Sequence, residues 1–92
     1  MSESVKKTLK IINEKGLHAR ASAKLVEVVE GFDATADISR DGMSALGDSI
    51  MGLLMLAASK GTSIDVVTSG PDALALADAL DALVADRFGE DC

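Results

Sequence analysis

His18 is the only histidine in this 92-residue chain, and it stands in the run Gly16-Leu17-His18-Ala19-Arg20, with an arginine two residues on. An imidazole with its usual pKa of about 6.5 is largely neutral at pH 7, so a ring nitrogen can attack phosphorus. Helical periodicity begins directly after this run. The free N–H groups of a first helical turn, and the positive end of its dipole, favour an anion. Arg20, inside that turn, could neutralise the oxygens of a phosphoryl group in flight. A surface or capping histidine would leave the same trace, and the residues alone keep both readings open.

Ser49 is the second candidate. With Gly47 and Asp48 before it and an apolar run after it, its hydroxyl reads as a helix N-cap. A phosphoserine would also be comfortable there, because a helix N-terminus accepts added negative charge. Asp48 could take over the capping and would repel such a phosphate. Other chemistries lack their parts: there is no Walker loop, no Gly-x-Gly-x-x-Gly and no nucleophile elbow. One histidine and one cysteine, Cys92, build no zinc or iron site, so neither metal nor cofactor is expected.

The elements that must position these residues follow from period and punctuation. Met1 to Ser4 reads as a frayed start. Val5 to Ile12 alternates, with Val5, Lys7, Leu9 and Ile11 inward, which predicts a strand in which a lysine stem covers the core edge. Asn13 to Gly16 is a polar loop. From Ala19 to about Glu30 a helix is expected, its stripe formed by Leu25, Val28, Val29 and Phe32 and its end capped by Gly31. Ala34 to Arg40 alternates again with Ala34, Ala36 and Ile38 inward, and Asp41-Gly42 predicts a type I′ hairpin into Met43 to Leu46. A short helix over Ser49 to Ala58 follows, then a strand over Thr62 to Thr68 with Ile64 and Val66 inward and Ser63 and Asp65 outward. Gly70-Pro71-Asp72 opens a last helix that buries Leu76, Leu80, Leu83 and Val84 and turns Asp78 and Asp81 to water. The tail after Phe88 reads as polar and loose. The order βαββαβα predicts an α+β domain over residues 1–92, with one four-stranded antiparallel sheet and three helices on one face. Within the short helix, Ile50, Met51, Leu54 and Met55 cannot all face a core. Either some are exposed, as adaptable methionines at a docking surface would be, or the helix is fully buried in mid-domain.

Composition narrows the partners. Two Phe and no Trp or Tyr leave few rings for stacking bases, and a net charge of −6 argues against polyanions, so nucleic acid is not expected. The charge is divided: Lys6, Lys7, Lys10, Lys15, Arg20 and Lys24 precede residue 25 against Glu3 and Glu14, whereas Asp65, Asp72, Asp78, Asp81, Asp86, Glu90 and Asp91 follow Gly61 against Arg87 alone. The basic half could meet an acidic protein partner, or the last helix has an acidic solvated face. The apolar run Leu53 to Ala58 is too short for a membrane span. A lone, inert Cys92 and no leader predict a cytoplasmic location.

Gly16-Leu17-His18-Ala19-Arg20, followed about thirty residues later by Asp48-Ser49-Ile50-Met51-Gly52, resembles the histidine-containing phosphocarrier (HPr) family of the bacterial phosphoenolpyruvate-dependent phosphotransferase system. The likeness runs from about Val5 to Phe88, and the family's open-faced β-sandwich agrees with the element order. It implies a carrier and not an enzyme. His18 would take a phosphoryl group from enzyme I on Nδ1 and pass it to an enzyme IIA component of a sugar or nitrogen branch, with Arg20 as the active-site arginine. Ser49 matches the serine modified by HPr kinase/phosphorylase. Leu17, Ala21, Lys24, Ile50, Met51 and Leu54 are the expected partner contacts, and a monomer is expected. Ala21 stands where the family usually has proline, and Asp48 where a basic or neutral residue is common. The Ala-Ser-Ala-Lys continuation at 21–24 is similar to members from some proteobacteria.

Overall fold

The computed structural model describes residues 4–91; the expectations for Met1 to Glu3 and for Cys92 lie outside them. Seven main elements follow in the predicted order: β1 (Ser4–Lys10), α1 (Ala19–Glu30), β2 (Thr35–Arg40), β3 (Met43–Leu46), α2 (Ile50–Met55), β4 (Ser63–Ser69) and α3 (Ala73–Ala85). A 3-10 turn over Arg87–Gly89 comes after them. The strands form one antiparallel sheet in the order β1-β4-β2-β3. Leu9 sits opposite Ile64, and Val66 lies between Lys7 and Ile38. Leu9, Ile64, Val66 and Ile38, with Ala36, form one face of a core completed by the three helices. The other face is polar, and Thr8 donates across it to Asp65 Oδ1 at 2.7 Å.

Local chemistry explains most boundaries. Arg40 pairs with Met43, leaving Asp41 (φ 50°) and Gly42 (φ 82°) as a two-residue turn with both φ angles positive, as a type I′ hairpin requires. Ser4 belongs to β1. At the other end the ladder formally stops at Lys10, but Ile11 still exchanges hydrogen bonds with Thr62 and Gly61 at 2.8 Å, so the expected reach to that point is kept. The lysine stem is where the alternation put it. Its ammonium lies 2.9 Å from Asp78 and 3.2 Å from Asp81, and both carboxylates stay exposed to water as expected. Asp72, expected to serve the α3 dipole, accepts the Asp33 N–H at 2.8 Å and thereby fastens the start of α3 to the loop after α1.

Three further expectations change. In α1 the buried stripe is Ala21, Ser22, Leu25, Val26 and Val29, while Val28 and Phe32 are only half-buried. Helix α2 is shorter than Ser49 to Ala58: Leu56 caps it and Ala57 turns left-handed at φ 51°, which carries Ala58 into the core. The full-burial alternative for this helix fails, since Met51 is 71% and Met55 66% exposed while Leu53 is inside. Finally, the tail after Phe88 is not loose, since Glu90 is hydrogen-bonded to Asn13 and His18. Phe88 is completely buried, and its carbonyl accepts from Lys24 Nζ at 2.7 Å.

Candidate functional site

The loop before α1 is pressed against the chain that follows α2. Gly16 has φ 64°, and a Cβ there would lie 2.5 Å from the Ala58 carbonyl oxygen and 2.8 Å from Ser59 Cα, so no side chain fits. Leu17 N–H donates to that same Ala58 oxygen at 2.8 Å, and Asn13 Nδ2 donates to Gly16 O at 2.8 Å. With its loop so anchored, His18 becomes the N-cap residue of α1 in extended conformation, its carbonyl accepting from Ser22 N–H at 2.8 Å. The imidazole itself caps nothing, and the first turn holds no acid. A part-exposed imidazole therefore stands beside first-turn N–H groups that have no side-chain acceptor from the cap, a setting that favours an anion next to the ring.

The C-terminal tail completes the site. His18 Nε2 is hydrogen-bonded to Glu90 Oε2, and Glu90 Oε1 accepts from Asn13 Nδ2 at 3.0 Å. The bond from His18, and then that from Asn13, holds the Glu90 carboxyl below the usual carboxylate range, and nearby Lys15 adds to the effect. Arg20 is exposed. Together with Lys15 and Lys24 it lines a cleft of about 350 Å³ whose other walls are Glu14, Gly89, Glu90 and Asp91. A cleft with three cations can receive a phosphoryl group, while its carboxylates keep the field from being uniformly positive. Among the described residues no group of three or more His, Cys, Asp or Glu converges as metal ligands, and no helix is long and apolar enough to cross a membrane.

The structure treats the other candidate residues unequally. Ser49 Oγ accepts from Gly52 N–H at 3.1 Å as the N-cap of α2, and the residue is part-exposed. Ile50 and Met51 are exposed beside it, and Leu54 is half-buried. Leu17 and Ala21 are corrected: at 4% and 0% exposure they belong to the core, so they support the site from beneath and offer a partner almost no surface. Lys24 is part-buried with its ammonium on Phe88 O, which makes it a tie to the tail. Glu90 and Asn13 were missed. Glu90 lies 72 residues from His18, and no local period connects them. The one available hint was a buried-type residue, Phe88, just before an otherwise polar end.

Such a fold, with a part-exposed imidazole bonded to Glu90 at a helix mouth and cations beside it, is that of a small phosphoryl-carrier domain. The family model described as the PTS HPr component phosphorylation site matches residues 5–86, and the chain belongs to that HPr family. It is 50% identical over 80 residues to the phosphocarrier protein HPr of Cupriavidus necator, covering 87% of this chain and 90% of that protein. With the phosphocarrier protein NPr of Escherichia coli K12 it shares 40% identity over 89 residues, or 96% and 99% of the two chains. The crystal structure of HPr-C-His from Thermoanaerobacter tengcongensis superposes with a TM-score of 0.91 at 31% identity, covering 96% of this chain and 99% of that one. The chain is thus a phosphocarrier of the phosphotransferase system, a carrier and not an enzyme.

Proposed function

We propose that His18 is the residue that carries the phosphoryl group, taken from enzyme I and handed to an enzyme IIA component of a sugar or nitrogen branch. The observation that carries this reading is the position of His18: the N-cap of a twelve-residue helix, with an imidazole that does no capping and stays part-exposed. In transfer the incoming phosphoryl oxygens are met by the first-turn N–H groups of α1 and by the Arg20 guanidinium across the cleft. The ring stays part-exposed, so donor and acceptor reach it in turn. Contact is brief, and the interface small. Ile50 and Met51 are the apolar part of that interface. Ser49, at its edge, is the regulatory site in the same reading: a phosphate there would place two negative charges among the residues that partners meet.

The test is direct. The protein is incubated with phosphoenolpyruvate and enzyme I, and its mass is followed. A gain of one phosphate, acid-labile and base-stable, is expected for the wild type and none for His18→Ala. Absence of that gain in the wild type, under conditions that label a known carrier, refutes the reading. Labelling that survives in His18→Ala moves the chemistry to another residue.

A further inference from the structure

We infer that Glu90 is a positioning residue for the phosphorylated histidine: it holds the ring proton on Nε2 of His18 and so presents the Nδ1 lone pair to phosphorus. The inference rests on the proposed role of His18. It starts from the bonding pattern around one carboxylate. Glu90 Oε2 bonds His18 Nε2 while Oε1 accepts from Asn13 Nδ2 at 3.0 Å. An ionised carboxylate accepts and never donates, so the hydrogen between it and the ring belongs to Nε2, and the neutral imidazole then carries its lone pair on Nδ1.

The tail is built to deliver that carboxylate. Arg87, Phe88 and Gly89 all take left-handed φ angles, 54°, 54° and 78°, and two of the three are not glycine. Backbone of that kind persists where the surroundings over-determine it. The fully buried Phe88 ring, the Lys24 ammonium on Phe88 O and the Asn13 amide on Glu90 supply those surroundings. Asn13 in turn is buried and fixed by its bond to Gly16 O, inside the loop that carries His18. Carboxylate and imidazole are thus referred to the same few residues.

In the transfer step the Nδ1 lone pair forms a bond to phosphorus as the bond from phosphorus to a histidine nitrogen of the donor protein breaks. Its electron pair returns to the donor ring. No proton moves, because Nε2 keeps its hydrogen throughout. The positive charge that the ring gains on phosphorylation faces the Glu90 carboxylate, which stabilises it. Passing the phosphoryl group onward reverses these changes at the same two atoms.

Glu90→Gln separates this role from a merely structural one, because Asn13 constrains the new amide. With Asn13 Nδ2 still donating to the amide oxygen, the amide nitrogen faces His18 and donates to Nε2, which drives the ring proton to Nδ1. Long-range proton–nitrogen correlation on the 15N-labelled, unphosphorylated protein at mildly alkaline pH reads the tautomer directly. The wild type is expected with the proton on Nε2, and the Gln variant with a clearly raised Nδ1–H fraction. The rate of phosphorylation by enzyme I should fall roughly tenfold, the scale of one charge-assisted hydrogen bond. Glu90→Ala, which removes the bond without inverting it, should relax toward the tautomer ratio of a short histidine peptide. A Gln variant with the wild-type tautomer overturns the inference, whatever its rate. So does an inverted tautomer with an unchanged rate. A wild type that shows the expected tautomer and accepts no phosphate instead refutes the carrier role of His18, and the two failures are distinguishable.

Discussion

Gly16 shows how much one residue does at this site. Its φ of 64° lies where side chains are strained, and the 2.5 Å approach of a Cβ to Ala58 O meets backbone that cannot rotate away. Gly16→Ala should therefore destabilise the fold by about 2–3 kcal/mol, through strain and a forced shift of the loop. A chemical denaturation curve would show it as a lower midpoint with an unchanged slope. The same shift displaces His18 and Asn13 from Glu90, so the residual folded protein should also accept phosphate more slowly. A midpoint within experimental error of wild type would show that the loop can retreat from residues 58–59. Glycine at this position is readable as a turn in the sequence, but the reason for it is not: the clash is with backbone more than forty residues away.

At the scale of elements, α2 divides its residues between two jobs. Leu53 is fully buried and Met51 is 71% exposed, although both are apolar and only two positions apart. Leu53→Ala should lose about 2–4 kcal/mol through lost burial and the cavity left behind. Met51→Ala should change stability by less than about 0.5 kcal/mol. If Met51 serves docking, its replacement instead raises the KM for phosphoryl transfer while the melting temperature stays put. Thermal melts together with transfer kinetics on the two variants check both halves, and a melting temperature that drops equally for both would contradict the division. This split was half legible beforehand. Crowding of apolar residues on so short a helix required some exposure, but which ones emerge depends on where α2 stops. That is set by Ala57 at φ 51° and by the use of Ala58 O as acceptor for Leu17, a tertiary contact. The α1 stripe was misplaced for a related reason. Ala21 and Ser22 carry little hydropathy, yet they are buried because the first turn of α1 packs closely at the site end.

Across the whole molecule, the sheet and α3 are joined by charge as well as by core. Lys7 is held above its ordinary 10.5 by hydrogen bonds to Asp78 and then Asp81, with their negative charges adding to the effect. A pKa raised on folding means a stabilising contribution that is complete below the unfolded value and is lost as pH rises through the folded one. The melting temperature of the wild type should accordingly exceed that of Lys7→Met at neutral pH, with the difference fading above about pH 10.5. A constant difference through that range would assign the effect of Lys7 to its aliphatic stem alone. The pair is exposed at the α3 end, so salt should weaken it too.

What the chain determined by itself was everything set by near neighbours. Period two, period 3.6, Asp41-Gly42 and the Gly-Leu-His-Ala-Arg run placed strands, helices, hairpin and the candidate nucleophile without reference to anything distant. Tertiary structure decided the company His18 keeps. The carboxylate on its Nε2 comes from residue 90, delivered by a buried Phe88 and by three successive left-handed residues, and the burial of Leu17 and Ala21 follows from packing under the same loop. Hydrogen bonds between residues 72 positions apart leave no periodic trace in a sequence. They exist only once loop closure has been compensated by the core that brings both ends together.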